Sequence, residues 1–98
     1  MALPPIRSRI LQYLSVVGSA DVSQIQDALK PEYGTERQFT RKSLDNHLMN
    51  LKENGLLKES GFDVIDGQLE TSYTIENEGR KLVAKYMKRF SPTSFWNR

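Results

Sequence analysis

Apolar residues recur along this chain mostly at helical spacing, and the sharpest such stretch is Thr40–Lys58, TRKSLDNHLMNLKENGLLK. Leu44, Leu48 and Leu51 form a narrow apolar stripe there. Thr40 stands where an N-cap belongs, and Gly55, just past Asn54, suits a left-handed helix end. Leu56 and Leu57 then open an extended run. The opposite face of the helix carries Lys42, Asn46 and Met49, flanked by Arg41, Asp45 and Asn50.

The rest of the chain divides in the same way. Pro4 and Pro5 suit a helix start, and Ile6, Ile10, Leu11, Leu14 and Val17 follow helical spacing up to Gly18, so a first helix is expected over about residues 4–17. Asp21-Val22-Ser23-Gln24 reads as a capping box, with Val22, Ile25, Ala28 and Leu29 on the buried side of a second helix that ends before Pro31. Residues 30–39 read as a turn. After Gly55, residues 56–65 and 68–75 read as strands; in the second, Leu69, Thr71, Tyr73 and Ile75 alternate with polar residues. Asp66-Gly67 between them is a two-residue hairpin turn, and Gly61 marks a bulge. A last helix spans about residues 77–90, and a short strand near 19–21 completes the pattern. This is an α+β class, mostly helical: one domain over residues 1–90 and a short aromatic tail, 91–98.

Two stretches of this pattern carry a family resemblance. His47-Leu48-Met49-Asn50-Leu51 followed by Gly55-Leu56-Leu57 resembles the "His-Leu-x-x-Leu … Gly-Leu-Val/Ile" of the recognition helix in winged helix-turn-helix transcription regulators of the MarR, ArsR and PadR type. Tyr73–Gly79 resembles their "Tyr-x-Leu-Thr-x-x-Gly", with Glu76 in place of the usual Thr. The likeness covers roughly residues 6–90. It implies a helix-turn-helix whose third helix enters the DNA major groove, a hairpin wing, a final helix and a two-fold dimer. The turn before the third helix is longer than a tight helix-turn-helix allows.

Composition narrows the classes of activity. The 98 residues suffice for one small domain, and 38% hydrophobic residues imply one modest core that a dimer interface could extend. Without Cys there is neither disulfide nor thiolate metal ligand, and a reducing, cytoplasmic setting is expected. No apolar run approaches a membrane span, and the start lacks a signal-peptide core. His47 is the single histidine; no metal site, cofactor loop or nucleophile constellation accompanies it, so no enzyme and no cofactor are expected, and His47 belongs at the edge of the helix stripe.

Net charge is only +2, from 14 basic and 12 acidic residues, and its distribution says more than its size. Bases gather at Arg37, Arg41 and Lys42 and again at Arg80, Lys81, Lys85, Lys88 and Arg89, whereas no base lies between Lys58 and Arg80. On the DNA reading, Arg41, Lys42, Asn46 and Asn50 meet the major groove, with Arg37, Thr40 and Ser43 on the backbone. Asp45 would repel phosphate unless it accepts from a cytosine amino group or pairs with Arg41 four residues earlier. The wing tip, Phe62–Gln68, holds two acids and no base, which points the wing away from DNA, to another partner, or to a merely soluble edge. Leu82, Val83, Tyr86, Met87, Phe90, Phe95 and Trp96 exceed what so small a core needs and are expected to form a homodimer surface. One small domain leaves little room for an effector pocket, except at a dimer interface. The competing reading is a winged-helix protein-interaction module that does not bind DNA.

Overall fold

A computed structural model describes residues 5–89, with side chains through Lys85. The elements run α1 (Ile6–Val17), β1 (Ser19–Asp21), α2 (Val22–Tyr33), α3 (Arg41–Glu53), β2 (Leu57–Ile65), β3 (Gln68–Ile75) and α4 (Asn77–Arg89). The sheet is antiparallel with strand order β1-β3-β2.

Local chemistry sets most of the boundaries. Gly18, at φ 87°, ends α1 and donates its N–H to the Leu14 carbonyl. Asp21 and Gln24 form the reciprocal capping box of α2, with hydrogen bonds of 2.8 and 2.9 Å. Thr40 Oγ1 accepts from the Ser43 N–H at 3.1 Å and so caps α3. The hairpin turns through Asp66 at φ 52° and Gly67 at φ 78°, the two positive angles that a tight turn of this hand requires. The β2–β3 register slips between Glu59 and Gly61, which places the bulge at Ser60.

One buried cluster holds these elements together. Ile10, Leu11 and Leu14 of α1, Val22, Ile25 and Leu29 of α2, and Leu44, Leu48 and Leu51 of α3 meet Ala20, Leu57, Tyr73 and Ile75 of the sheet. Gly79 is buried where the start of α4 meets the α3–β2 connection and the end of β3: a Cβ there would lie 2.5 Å from the Leu56 carbonyl oxygen and 2.8 Å from Ile75. The glycine of the "Tyr-x-Leu-Thr-x-x-Gly" stretch is therefore a close-packing glycine.

Several expectations need correction. α2 does not end before Pro31 but runs on to Tyr33. Pro31 leaves the Asp27 carbonyl without its helical donor, yet Asp27 is exposed and water can serve it. The extra turn is held by buried Tyr33, stacked on Phe39 at 6.3 Å between ring centroids, and by Glu32, which takes two hydrogen bonds of 2.9 Å from Arg9. Val17 follows the helical spacing but is exposed. Val83, assigned to the dimer surface, is buried in the chain's own core, and Leu82 packs partly against it. The side chains of Tyr86 and Met87, and Phe90, Phe95 and Trp96 altogether, lie outside the described residues, as does the tail 91–98.

Candidate nucleic-acid interface

α3 is anchored on three sides before it can present anything to a partner. Its leucine stripe is buried. At its start, Arg41 Nη2 donates to Glu70 Oε2 of β3 at 2.7 Å, and Arg41 Nε lies 3.6 Å from Asp45 Oδ1. Glu70 also accepts from the Ser23 hydroxyl at 3.0 Å and from the Ser23 N–H at 3.3 Å. A single buried carboxylate thus ties the first turn of α2 and the first turn of α3 to the first half of β3. The Arg41 hydrogen bond holds the Glu70 carboxyl below its usual range, against a burial that alone would raise it, and the same bond raises Arg41. Farther along, His47 Nδ1 accepts from Arg7 Nε of α1 at 2.9 Å, so this ring is the neutral Nε2–H tautomer; burial first, and the Arg7 charge second, lower its pKa. Toward the end of α3, Lys52 pairs with Glu59 of β2 at 2.9 Å.

The exposed side of α3 is what remains. Lys42 and Asn46 point to solvent and, with Gln38, Thr40 and Ser43, line a shallow hollow beside the helix start. Arg37 is exposed in the connection between α2 and α3, and neither it nor Lys42 has an ion-pair partner among the described residues. Asn50 is half-buried and donates its side-chain amide to the Asn46 carbonyl at 3.1 Å, which leaves its side-chain oxygen as an acceptor. Across the helix, a second cleft between α3 and the hairpin is lined by Val22, Arg41, Asp45, Met49, Leu69, Thr71 and Tyr73.

The expected DNA-facing residues therefore separate. Thr40, Lys42, Ser43 and Asn46 share one patch, with Arg37 just before α3. Arg41 is set apart, because its charge is already matched by Glu70 and Asp45. Sequence spacing offered the Arg41–Asp45 pair, four residues apart, as one of two roles for Asp45, but not Glu70, which is 29 residues away in sequence on another element. Gln38, in the same hollow, was also missed, since nothing in the order of residues marks a connection as part of a helix face.

The hairpin departs from a basic wing. Asp63 and Asp66 occupy its tip, and Phe62, Val64, Ile65 and Leu69 are all exposed. Among the described residues no helix is long and apolar enough to cross a membrane.

No family model matches the sequence, and no curated protein matches it. Solved structures do match in fold. A transcriptional regulator homologue from Pyrococcus horikoshii superimposes with a TM-score of 0.66 at 26% identity, covering 91% of this chain and 79% of that one. RosR of H. salinarum matches at 0.68 and 22% identity, covering 98% and 80%. PadR of Bacillus subtilis, solved in complex with operator DNA, matches at 0.61 and 19% identity, covering 85% of this chain and 48% of that one. With three helices, an antiparallel hairpin and a closing helix in the same arrangement, this chain has the winged helix-turn-helix fold of these transcriptional regulators.

Proposed function

We propose that this chain is a cytoplasmic DNA-binding transcriptional regulator that reads double-stranded DNA with α3, acts as a homodimer and represses by occupying its operator. The observation that carries the reading is the exposed Lys42–Asn46 ridge, standing on a fully buried leucine stripe in a fold shared with such regulators. A helix held this firmly enters a major groove with little ordering left to do. Asn46 can bond an adenine edge, and Lys42 a guanine edge or a phosphate. Thr40, Ser43 and the free N–H groups of the first α3 turn suit a backbone phosphate, with Arg37 alongside. Asn50 offers its side-chain oxygen to a base amino group. Arg41 fixes the angle of α3 through Glu70 and adds its positive field. Leu82, Tyr86, Met87, Phe90, Phe95 and Trp96 remain the proposed two-fold surface. Such a dimer would bind an inverted repeat with half-sites about one helical turn apart. No cofactor, catalytic step or small-molecule effector is part of this reading.

Fluorescence anisotropy with random-sequence duplex at two salt concentrations tests it. Binding on the order of micromolar that weakens steeply with salt is expected, and Lys42→Ala/Asn46→Ala should lose about tenfold or more. No binding at low salt, or an unchanged affinity in the double variant, overturns α3 as the reader. Sedimentation of the full chain tests the dimer separately.

A further inference from the structure

The hairpin carries a surface that reading DNA through α3 does not use. Val64 stands opposite Leu69, and Phe62 opposite Thr71, so Phe62, Val64 and Leu69 share one side of the ribbon. Nearer the body, that same side sends Leu57, Tyr73 and Ile75 into the core. Beyond the body it is bare: Phe62 is 75%, Val64 64% and Leu69 60% exposed. The apolar surface continues toward α3, because Leu69 and half-exposed Met49 line the same cleft. A contiguous patch of large apolar side chains of this kind marks a binding surface.

Charge identifies what it binds. Residues 59–79 contain no Lys, Arg or His. Glu59 is neutralised by Lys52, but Asp63 and Asp66 have no ion-pair partner among the described residues. A ribbon of this sign is repelled by phosphates and attracts cations. Docking by strand addition is also opposed: the Val64 N–H is covered by the Asp63 carboxylate at 2.8 Å, and the bulge at Ser60 breaks the regular line of the edge strand. What remains is side-chain contact on the apolar face, with Asp63, held against the Val64 N–H of the strand, and Asp66 at the turn as the nearby acids. We propose that this face docks a segment of a partner protein that presents apolar side chains flanked by Lys or Arg. The wing then recruits protein, independently of what α3 binds.

The test is selection of short random-sequence peptides displayed on phage against the full chain, followed by affinity measurement on the enriched peptides. Enriched peptides should combine apolar residues with flanking Lys or Arg. Phe62→Ser/Val64→Thr/Leu69→Thr should weaken them about tenfold or more. Asp63→Asn/Asp66→Asn should weaken them several-fold and flatten their salt dependence. The asparagine pair keeps the turn and the cover on Val64, so it preserves the test if the triple variant fails to fold by circular dichroism. No enrichment, peptides without basic residues, or affinities unmoved by both variants overturn the proposal. So does a loss of duplex binding of about tenfold in the folded triple variant, which would make the face a nucleic-acid contact. Conversion of a dimer to a monomer in that variant overturns it as well, in favour of a second copy. Unchanged duplex binding with lost peptide binding supports the wing surface whether or not α3 reads DNA.

Discussion

Replacing Glu70 by alanine should destabilise this domain far more than any exposed carboxylate would. The Glu70 side chain is 6% exposed and takes three hydrogen bonds: from Arg41 at 2.7 Å, the Ser23 hydroxyl at 3.0 Å and the Ser23 N–H at 3.3 Å. Breaking a fully buried pair costs about 3–5 kcal/mol. The Arg41 side chain is 37% exposed, so it regains water and the loss falls to roughly 2–3 kcal/mol. At about 4–8 °C per kcal/mol for a domain of this size, the midpoint should fall by roughly 10–20 °C. Urea and thermal unfolding followed by circular dichroism measure it. The pH dependence gives a second check. The folded-state carboxyl is depressed below its usual 4.5, chiefly by the Arg41 hydrogen bond. The unfolded state therefore takes up a proton first on acidification. The contribution is whole above about pH 4.5 and is lost as pH falls through the lower folded value. The gap between wild type and Glu70→Gln should shrink over that window. A loss under about 0.5 kcal/mol at neutral pH, or a gap that ignores acid, would refute Glu70 as the clasp of α3.

Gly79→Ala should cost about 1–3 kcal/mol in urea unfolding, because its Cβ meets the Leu56 carbonyl oxygen at 2.5 Å, a backbone atom that cannot rotate away. Gln12 is fully buried, and neither amide atom has a partner among the described residues, so Gln12→Leu should raise stability by about 1 kcal/mol; a loss of that size would mean the amide has a polar partner. Burial and the Glu32 charge push the Tyr33 hydroxyl up to about 12 from 10. The unfolded chain releases that proton first, so stability should fall as pH rises above about 10, and Tyr33→Phe should flatten the fall in alkaline unfolding curves.

How these residues work divides according to the range over which their chemistry acts. The caps at Asp21 and Thr40, the stop at Gly18, the Asp66-Gly67 turn and the bulge near Gly61 were legible in the order of residues. Each is decided within a few positions by a side-chain oxygen or a positive φ. The leucine stripe of α3 and the place of Lys42 and Asn46 opposite it followed from helical period alone; the α+β class needed the strand alternation and hairpin turn as well, and the winged fold was legible only through the family resemblance of His47–Leu57 and Tyr73–Gly79. Period tells which way a side chain faces but not what it meets there. The last turn of α2 persists through Pro31 because Arg9 and Phe39, distant in sequence, hold Glu32 and Tyr33. Arg41 looks like a reader beside Lys42 until β3 brings Glu70 against it. Val83 looks like dimer surface until the core of its own chain covers it. The hairpin's alternation predicted one covered side, but only the tertiary structure decided where the body beneath it ends, and therefore that Phe62, Val64 and Leu69 stand on that side with nothing to cover them.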